Sequence, residues 1–217
     1  MAETINVVVD ISHHNGNVDL TKAKAAGIIG VIHKATQGTS MTDNKYQTNR
    51  EKAEAAGLLW GAYHFGTKGD GAAQADFFLS KANPDDSTLL VLDFEPNEPS
   101  TMTLDQAKAF VTRINEVRGS FPGLYSGNLI KEKLGGKPPD PVLSQCFLWI
   151  AQYAPAPTHI PATWPTFTFW QYTDGNPNHG PQPHSVDGIG NCDRDRFNGT
   201  VENLKKLWGV ATEAAGG

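Results

Sequence analysis

Two segments about 30 residues apart carry one pattern: Lys22-Ala-Lys-Ala-Ala-Gly-Ile-Ile29 and Lys52-Ala-Glu-Ala-Ala-Gly-Leu-Leu59. In each, an alanine-rich helical stretch runs into a glycine, the usual helix stop, and then into apolar β-forming residues. The strands that follow hold His33 and His64. The offset is that of one strand–helix–strand unit, roughly 30 residues. A chain that repeats such a unit is confined to alternating α/β architectures. The pattern does not recur further along, so it marks consecutive α-to-β connections and not a solenoid.

The alternation extends in both directions. Strands are expected at Asn6–Ser12, Ile28–Ala35, Leu58–Phe65, Leu89–Glu95 and Phe121–Ser126. Helices are expected at Asp19–Ala26, Asp43–Ala56, Gly71–Ala82, Thr103–Arg118 and Asn128–Leu134. Thr103–Arg118 is the clearest helix: Ala107, Phe110, Val111, Ile114 and Val117 share one face, and Thr103 with Gln106 makes a capping box. Past Gly135-Gly136 the character changes. Phe147–Tyr153, Phe167–Tyr172 and Cys192–Phe197 read as strands joined by Pro- and Gly-rich loops, and Asn198–Trp208 as a closing helix. The expectation is an irregular TIM-like barrel, parallel and closed, with five βα units followed by three β-strands. The rival is an open doubly wound sheet, which usually carries a Gly-rich phosphate loop after its first strand; Ser12-His-His-Asn-Gly16 is not one. No linker interrupts the chain, so residues 1–209 are expected to form one barrel domain and 210–217 a mobile tail.

A net charge of −5 with no block of Lys and Arg argues against a nucleic-acid partner and against a polybasic membrane anchor. No apolar run reaches the length of a transmembrane helix. Met1-Ala-Glu-Thr4 lacks the basic start of a signal peptide. The expectation is synthesis in the cytoplasm without a leader, unless one was trimmed. Cys146 and Cys192 lie in no metal-ligand pattern. Placed at the starts of strands six and eight, they would be separated by strand seven, about 9.5 Å, too far for a disulfide; free thiols are expected.

The chemistry is concentrated in Thr88-Leu-Leu-Val-Leu-Asp-Phe-Glu-Pro96. Its apolar run has no polar group to satisfy; it then presents Asp93 and Glu95 to one face and Phe94 to the other, because strand side chains alternate. In a closed barrel the active site lies at the carboxyl ends of the strands. Read there, the other strands offer Asp10, Lys34, Tyr63 with His64, Tyr125, Trp149 with Tyr153, Gln171 with Tyr172, and Asp193 with Asp195. Carboxylates crowded at one mouth do not ionise together: two charges about 6 Å apart repel by roughly 3 kcal/mol at an effective dielectric near 20. One member stays protonated while a neighbour is ionised, the acid–base pairing that glycoside hydrolysis requires. Aromatic rings around the acids suit the apolar faces of sugars.

Eight pieces now resemble one family, the glycoside hydrolase family 25 lysozymes: Val9-Asp-Ile-Ser-His-His-Asn-Gly16, Lys34-Ala-Thr-Gln-Gly38, Gly61-Ala-Tyr-His-Phe65, Leu92-Asp-Phe-Glu95, Leu124-Tyr-Ser126, Leu148-Trp-Ile-Ala-Gln-Tyr153, Trp170-Gln-Tyr172 and Asp193-Arg-Asp-Arg-Phe197. They run in the family's order over nearly the whole chain. The resemblance implies an N-acetylmuramidase, endolysin-like, that cuts the β-1,4 bond after N-acetylmuramic acid in bacterial peptidoglycan. It implies Glu95 as proton donor, Asp93 as the group that positions the substrate acetamide or stabilises the developing positive charge, and Asp10 and Asp193 as the rest of the acidic floor. Tyr63, Tyr125 and Trp149, and more weakly Gln171, become sugar-contact candidates. No cofactor and no metal are implied, and a monomer acting on cell-wall glycan strands is expected. The chain departs from the pattern at Gln37, where the family often has Glu. The fourth acid stays open between Asp193, Asp195 and Asp187.

Two other classes compete. A metal-dependent deacetylase or amidohydrolase would draw ligands from His13, His14, His33, His64 and Asp10. Adjacent His13 and His14, if they continue the strand, face opposite ways and cannot chelate together; activity that survives a chelator removes this reading. A barrel that holds glycan without cutting it has no need of a proton donor at Glu95.

Overall fold

The computed structural model describes residues 4–210. The predicted C-terminal tail lies, beyond Val210, outside the described residues. Eight strands close into a barrel: β1 (Thr4–Ile11), β2 (Gly30–Gln37), β3 (Leu59–Phe65), β4 (Leu89–Asp93), β5 (Gly123–Ser126), β6 (Leu148–Ala151), β7 (Phe169–Thr173) and β8 (Asp193–Asn198). Helices α1 (Leu20–Ala25), α2 (Tyr46–Ala55), α3 (Gly71–Ala82), α4 (Leu104–Arg118) and α5 (Asn128–Leu134) alternate with the first strands, and α6 (Val201–Leu207) ends the described chain. The five-plus-three plan read from the sequence is present.

The repeat explains the first turn of the barrel. Gly27 and Gly57 both take positive φ, 95° and 67°. Each lets the chain reverse while its helix's last carbonyls are satisfied: Gly27 N–H donates to Lys24 O and Ile28 N–H to Ala23 O, and Gly57 and Leu58 do the same to Glu54 and Ala53. The next residues then enter the sheet, Ile29 N–H to Val7 O and Leu59 N–H to Ile29 O. One local motif, used twice, sets the register of three neighbouring strands.

Alternation along the strands produces two apolar layers. Val8, Ile32, Leu89, Val91, Trp149, Phe169 and Phe197 fill the barrel interior. Val9, Ile11, Val31, Ala62, Leu90, Leu92, Phe94, Leu124 and Ile150 face outward and pack under the helices with Phe78, Phe110 and Ile114. α6 closes the amino-terminal end: Leu204 and Trp208 join the interior cluster, and Trp208 Nε1 donates to Trp60 O at 2.8 Å. The opposite end is therefore left as the mouth.

The structure corrects one expectation about the barrel. It is not parallel throughout: β8 runs antiparallel to both β7 and β1, while β1 and β2 are parallel. The loop from 174 to 192 causes this. It doubles back over the mouth, with Thr173 Oγ1 donating to His179 O at 2.8 Å and Gly180 pressed so close to Tyr172 O that a Cβ there would sit 1.8 Å away. The chain re-enters the sheet from the mouth and runs downward. Cys192 therefore lies at the mouth end and Cys146, just before β6, at the other. Both are buried and free, and burial pushes each thiol up to about 12. Opposite ends, more than an intervening strand, keep them apart.

Candidate active site

The sequence around Glu95 explains how two acids come to share a face. β4 ends at Asp93, earlier than the run predicted from the sequence, and Glu95 lies beyond it. Hydrogen bonds keep the strand geometry going regardless. Phe94 N–H donates to Tyr125 O at 2.9 Å, and Ser126 Oγ donates to Phe94 O at 2.6 Å. The Phe94 ring is fully buried in the outer layer. With Phe94 pinned outward, Asp93 and Glu95 both turn to the mouth.

There a cavity of about 200 Å³ is lined by Asp10, Tyr63, Asp93, Glu95, Tyr125, Trp149, Tyr153, Gln171 and Asp193. All eight site residues expected from the sequence are brought together, Asp10 with Glu95 at one end of the molecule. Tyr153 is the ninth. It ends its strand's motif in the sequence, but nothing local distinguished it from Tyr172. The structure does: Tyr172 turns outward and its hydroxyl donates to Pro183 O, whereas Tyr153 reaches Gln171 at the mouth. The cavity opens into a second cleft of about 380 Å³, which shares Glu95, Tyr125 and Tyr153 and runs on past Asn128, Leu129 and Glu132.

The antiparallel β8 sets which of the three aspartates lines the cavity. Its first residue, Asp193, pairs directly with Asp10. Asp195 sits two residues deeper and is fully buried; it accepts from Trp149 Nε1 at 2.7 Å, and its Oδ2 finds no protein partner. Asp187 is exposed in a small hairpin between Ser185–Val186 and Gly190–Asn191, away from the cavity.

Burial dominates the electrostatics. Desolvation, then the neighbouring charges of Asp193 and Asp195, holds the Asp10 carboxyl well above the usual range. Asp93 is raised by burial and then by Glu95. Glu95, half-buried, is raised by burial. Asp193 is pushed up to about 7 by burial and then by Asp174. The counterweight is Lys34, whose Nζ lies 4.8 Å over the Phe65 ring and donates to Gln37 Oε1 at 2.7 Å. That partner is a neutral amide; the charges that favour the ammonium are those of Asp93, Asp43 and Glu95, and it lowers Asp93 and Glu95 in turn.

The histidines do not converge. His33 and His64 face outward and are buried, held by Asn49 and by Thr36 with Gln74. His13 and His14 lie beyond the end of β1, so the case in which they continue the strand and face opposite ways does not arise. They form a single 3-10 turn with rings 4.0 Å apart, because Ser12 caps it and Asp43 accepts from both the backbone N–H and the ring of His13. Among the described residues, no group of three or more His, Cys, Asp and Glu is placed to hold a metal ion. No helix among them is long and apolar enough to cross a membrane.

Comparison with known proteins places this geometry. The sequence profile of glycosyl hydrolases family 25 matches residues 9–180. The chain belongs to that family. It is a glycoside hydrolase, and its kin are lysozymes and muramidases. It is 33% identical over 215 residues to the N,O-diacetylmuramidase of a Chalaropsis species, covering 91% of this chain and 96% of that one. The bacterial lysozyme of Streptomyces coelicolor superposes with a TM-score of 0.78 at 30% identity, covering 96% of this chain and 100% of that one. A family 25 lysozyme of Aspergillus fumigatus gives 0.78 at 31%, with 94% and 99% covered. The profile match stops before β8, so it does not reach Asp193, whose position at the cavity is given by its pairing with Asp10.

Proposed function

We propose that this glycoside hydrolase is an N-acetylmuramidase that cuts the β-1,4 bond between N-acetylmuramic acid and N-acetylglucosamine in peptidoglycan. The observation that carries this reading is the pair Asp93 and Glu95 in one cavity, with burial holding the Glu95 carboxyl above its ordinary range. A carboxyl that keeps its proton towards neutrality can pass it to a glycosidic oxygen as the bond breaks. Asp93 beside it has a buried Oδ1 with no protein partner. That oxygen is free to take the N–H of a substrate acetamide or to face positive charge at the anomeric carbon. Asp10 and Asp193 complete the acidic floor, and Lys34 limits the total negative charge. Tyr63 and Tyr125, half-buried, present ring surface to a sugar; Trp149 and Gln171, almost fully buried, have little to offer one directly. The site works as a monomer, on glycan strands lying through the mouth and into the adjoining cleft.

Purified peptidoglycan digested with the enzyme tests the bond. Mass spectrometry of the products, after reduction, should find fragments ending in reduced muramic acid. Ends in reduced glucosamine would mean the other glycosidic bond is cut. Released acetate with intact strands would mean a deacetylase, and unchanged strands a glycan-binding barrel.

A further inference from the structure

Gln171 is 2% exposed at the wall of the cavity, and both ends of its side-chain amide are hydrogen-bonded. Its Oε1 accepts from the Tyr125 hydroxyl at 2.8 Å and from the Tyr153 hydroxyl at 3.0 Å. Its Nε2 donates to Asp10 Oδ2 at 2.8 Å. We propose that Gln171 is a positioning residue: two tyrosine hydroxyls fix its amide so that its N–H must point at Asp10, which holds that carboxylate in place as a hydrogen-bond acceptor. This rests on the muramidase reading of the cavity and deepens it, since it says which group fixes the orientation of Asp10 among the crowded acids.

The two tyrosines determine the direction of the amide. A carbonyl oxygen with two lone pairs is saturated by two O–H donors; turned round, the amide would leave both hydroxyl protons without this acceptor and set its own oxygen against an Asp10 carboxylate oxygen, acceptor against acceptor. Both phenols stay protonated, because burial raises Tyr125 well above its ordinary range and raises Tyr153 as well. Asp10 is in need of such a donor. It faces Asp193 and Asp195 on β8, with Tyr63, Tyr125, Tyr153 and Cys192 around it, and no cation among these. Burial and the two aspartates favour its neutral form, and the amide works against them.

Gln171→Glu is the discriminating variant. The new carboxyl keeps the shape and can accept from both tyrosines, but it can donate to Asp10 only while protonated. The ratio of variant to wild-type kcat on soluble peptidoglycan fragments should be highest in mild acid. It should fall by up to about tenfold per pH unit once the new pair titrates. The thermal midpoint, read without substrate, should fall behind the wild type over the same range. A buried carboxyl with a raised folded-state pKa loses stability as pH rises. A ratio and a midpoint difference that are flat with pH overturn the proposal. If Gln171→Glu does not fold, Gln171→Met serves: kcat should drop by about a hundredfold with KM little changed. A loss confined to KM makes Gln171 a sugar contact and overturns the proposal. Failure of the wild type to cut peptidoglycan would sink the muramidase reading, while the midpoint measurement would still decide the role of Gln171.

Discussion

Glu95→Gln lowers kcat on cell walls by about 10²–10⁴-fold, the range that loss of a positioned general acid produces, and leaves glycan binding close to wild type. The amide keeps the size and the hydrogen-bonding reach of the carboxyl and removes only the transferable proton. Folding is not at issue, since Glu95 lies beyond the end of β4 and its backbone neighbours are held by Tyr125 and Ser126. Release of reducing ends, measured beside a thermal melt, separates the two. Glu95→Gln that clears walls at near wild-type rate would move the acid elsewhere, with Asp193 next in line because burial brings it to about 7.

Stability should have its maximum in mild acid and decline above it. Asp10, Asp93 and Asp195 are held well above their ordinary range in the folded protein, and Asp193 at about 7. A carboxyl that binds its proton more tightly when folded loses stability as pH rises past its unfolded value. For Asp193 alone, a rise from the ordinary 3.8 to about 7 is on the order of 4 kcal/mol. His33 and His64 act with the opposite sign. Burial lowers each to about 4, so their contribution is present above pH 6.5 and is lost as pH falls towards 4. The two effects oppose each other below pH 6.5, and only the acids act above it. The thermal midpoint should therefore fall between pH 6 and pH 8.5, at roughly 2–4 °C per kcal/mol for a chain of this size. Asp195→Asn should flatten that fall, because an amide oxygen still accepts from Trp149 Nε1 and the buried charge is gone. A midpoint that climbs over the same interval would mean the acids are solvated and not crowded.

These two expectations draw on different parts of the chain's legibility. Glu95 and Asp93 could be found from a single nine-residue stretch, because alternation and an apolar run are local properties. Asp10 and Asp193 could be listed but not joined. Their adjacency depends on β8 entering the barrel from the mouth, and the loop that turns it, residues 174–192, has no periodic pattern. Tyr153 and Gln171 were readable only as residue types. Their meaning lies in hydrogen bonds between strands β5, β6, β7 and β1, which no spacing along the chain encodes. The placement of His13 was illegible for a related reason: Ser12 caps a 3-10 turn there, and the ring's partner, Asp43, lies 30 residues away.

The amino-acid sequence by itself determined the alternating units, the glycine stops that set their register, which face of each strand is apolar, and the acids placed against it. Each of these follows from periods of 2 and 3.6 and from short-range sterics. The tertiary structure alone decided the direction of the last strand, and with it which aspartate meets Asp10, how deep Asp195 lies, and how far each carboxyl is removed from water. Those are outcomes of long-range pairing and burial, and proton affinity follows burial and neighbouring charge, not order along the chain.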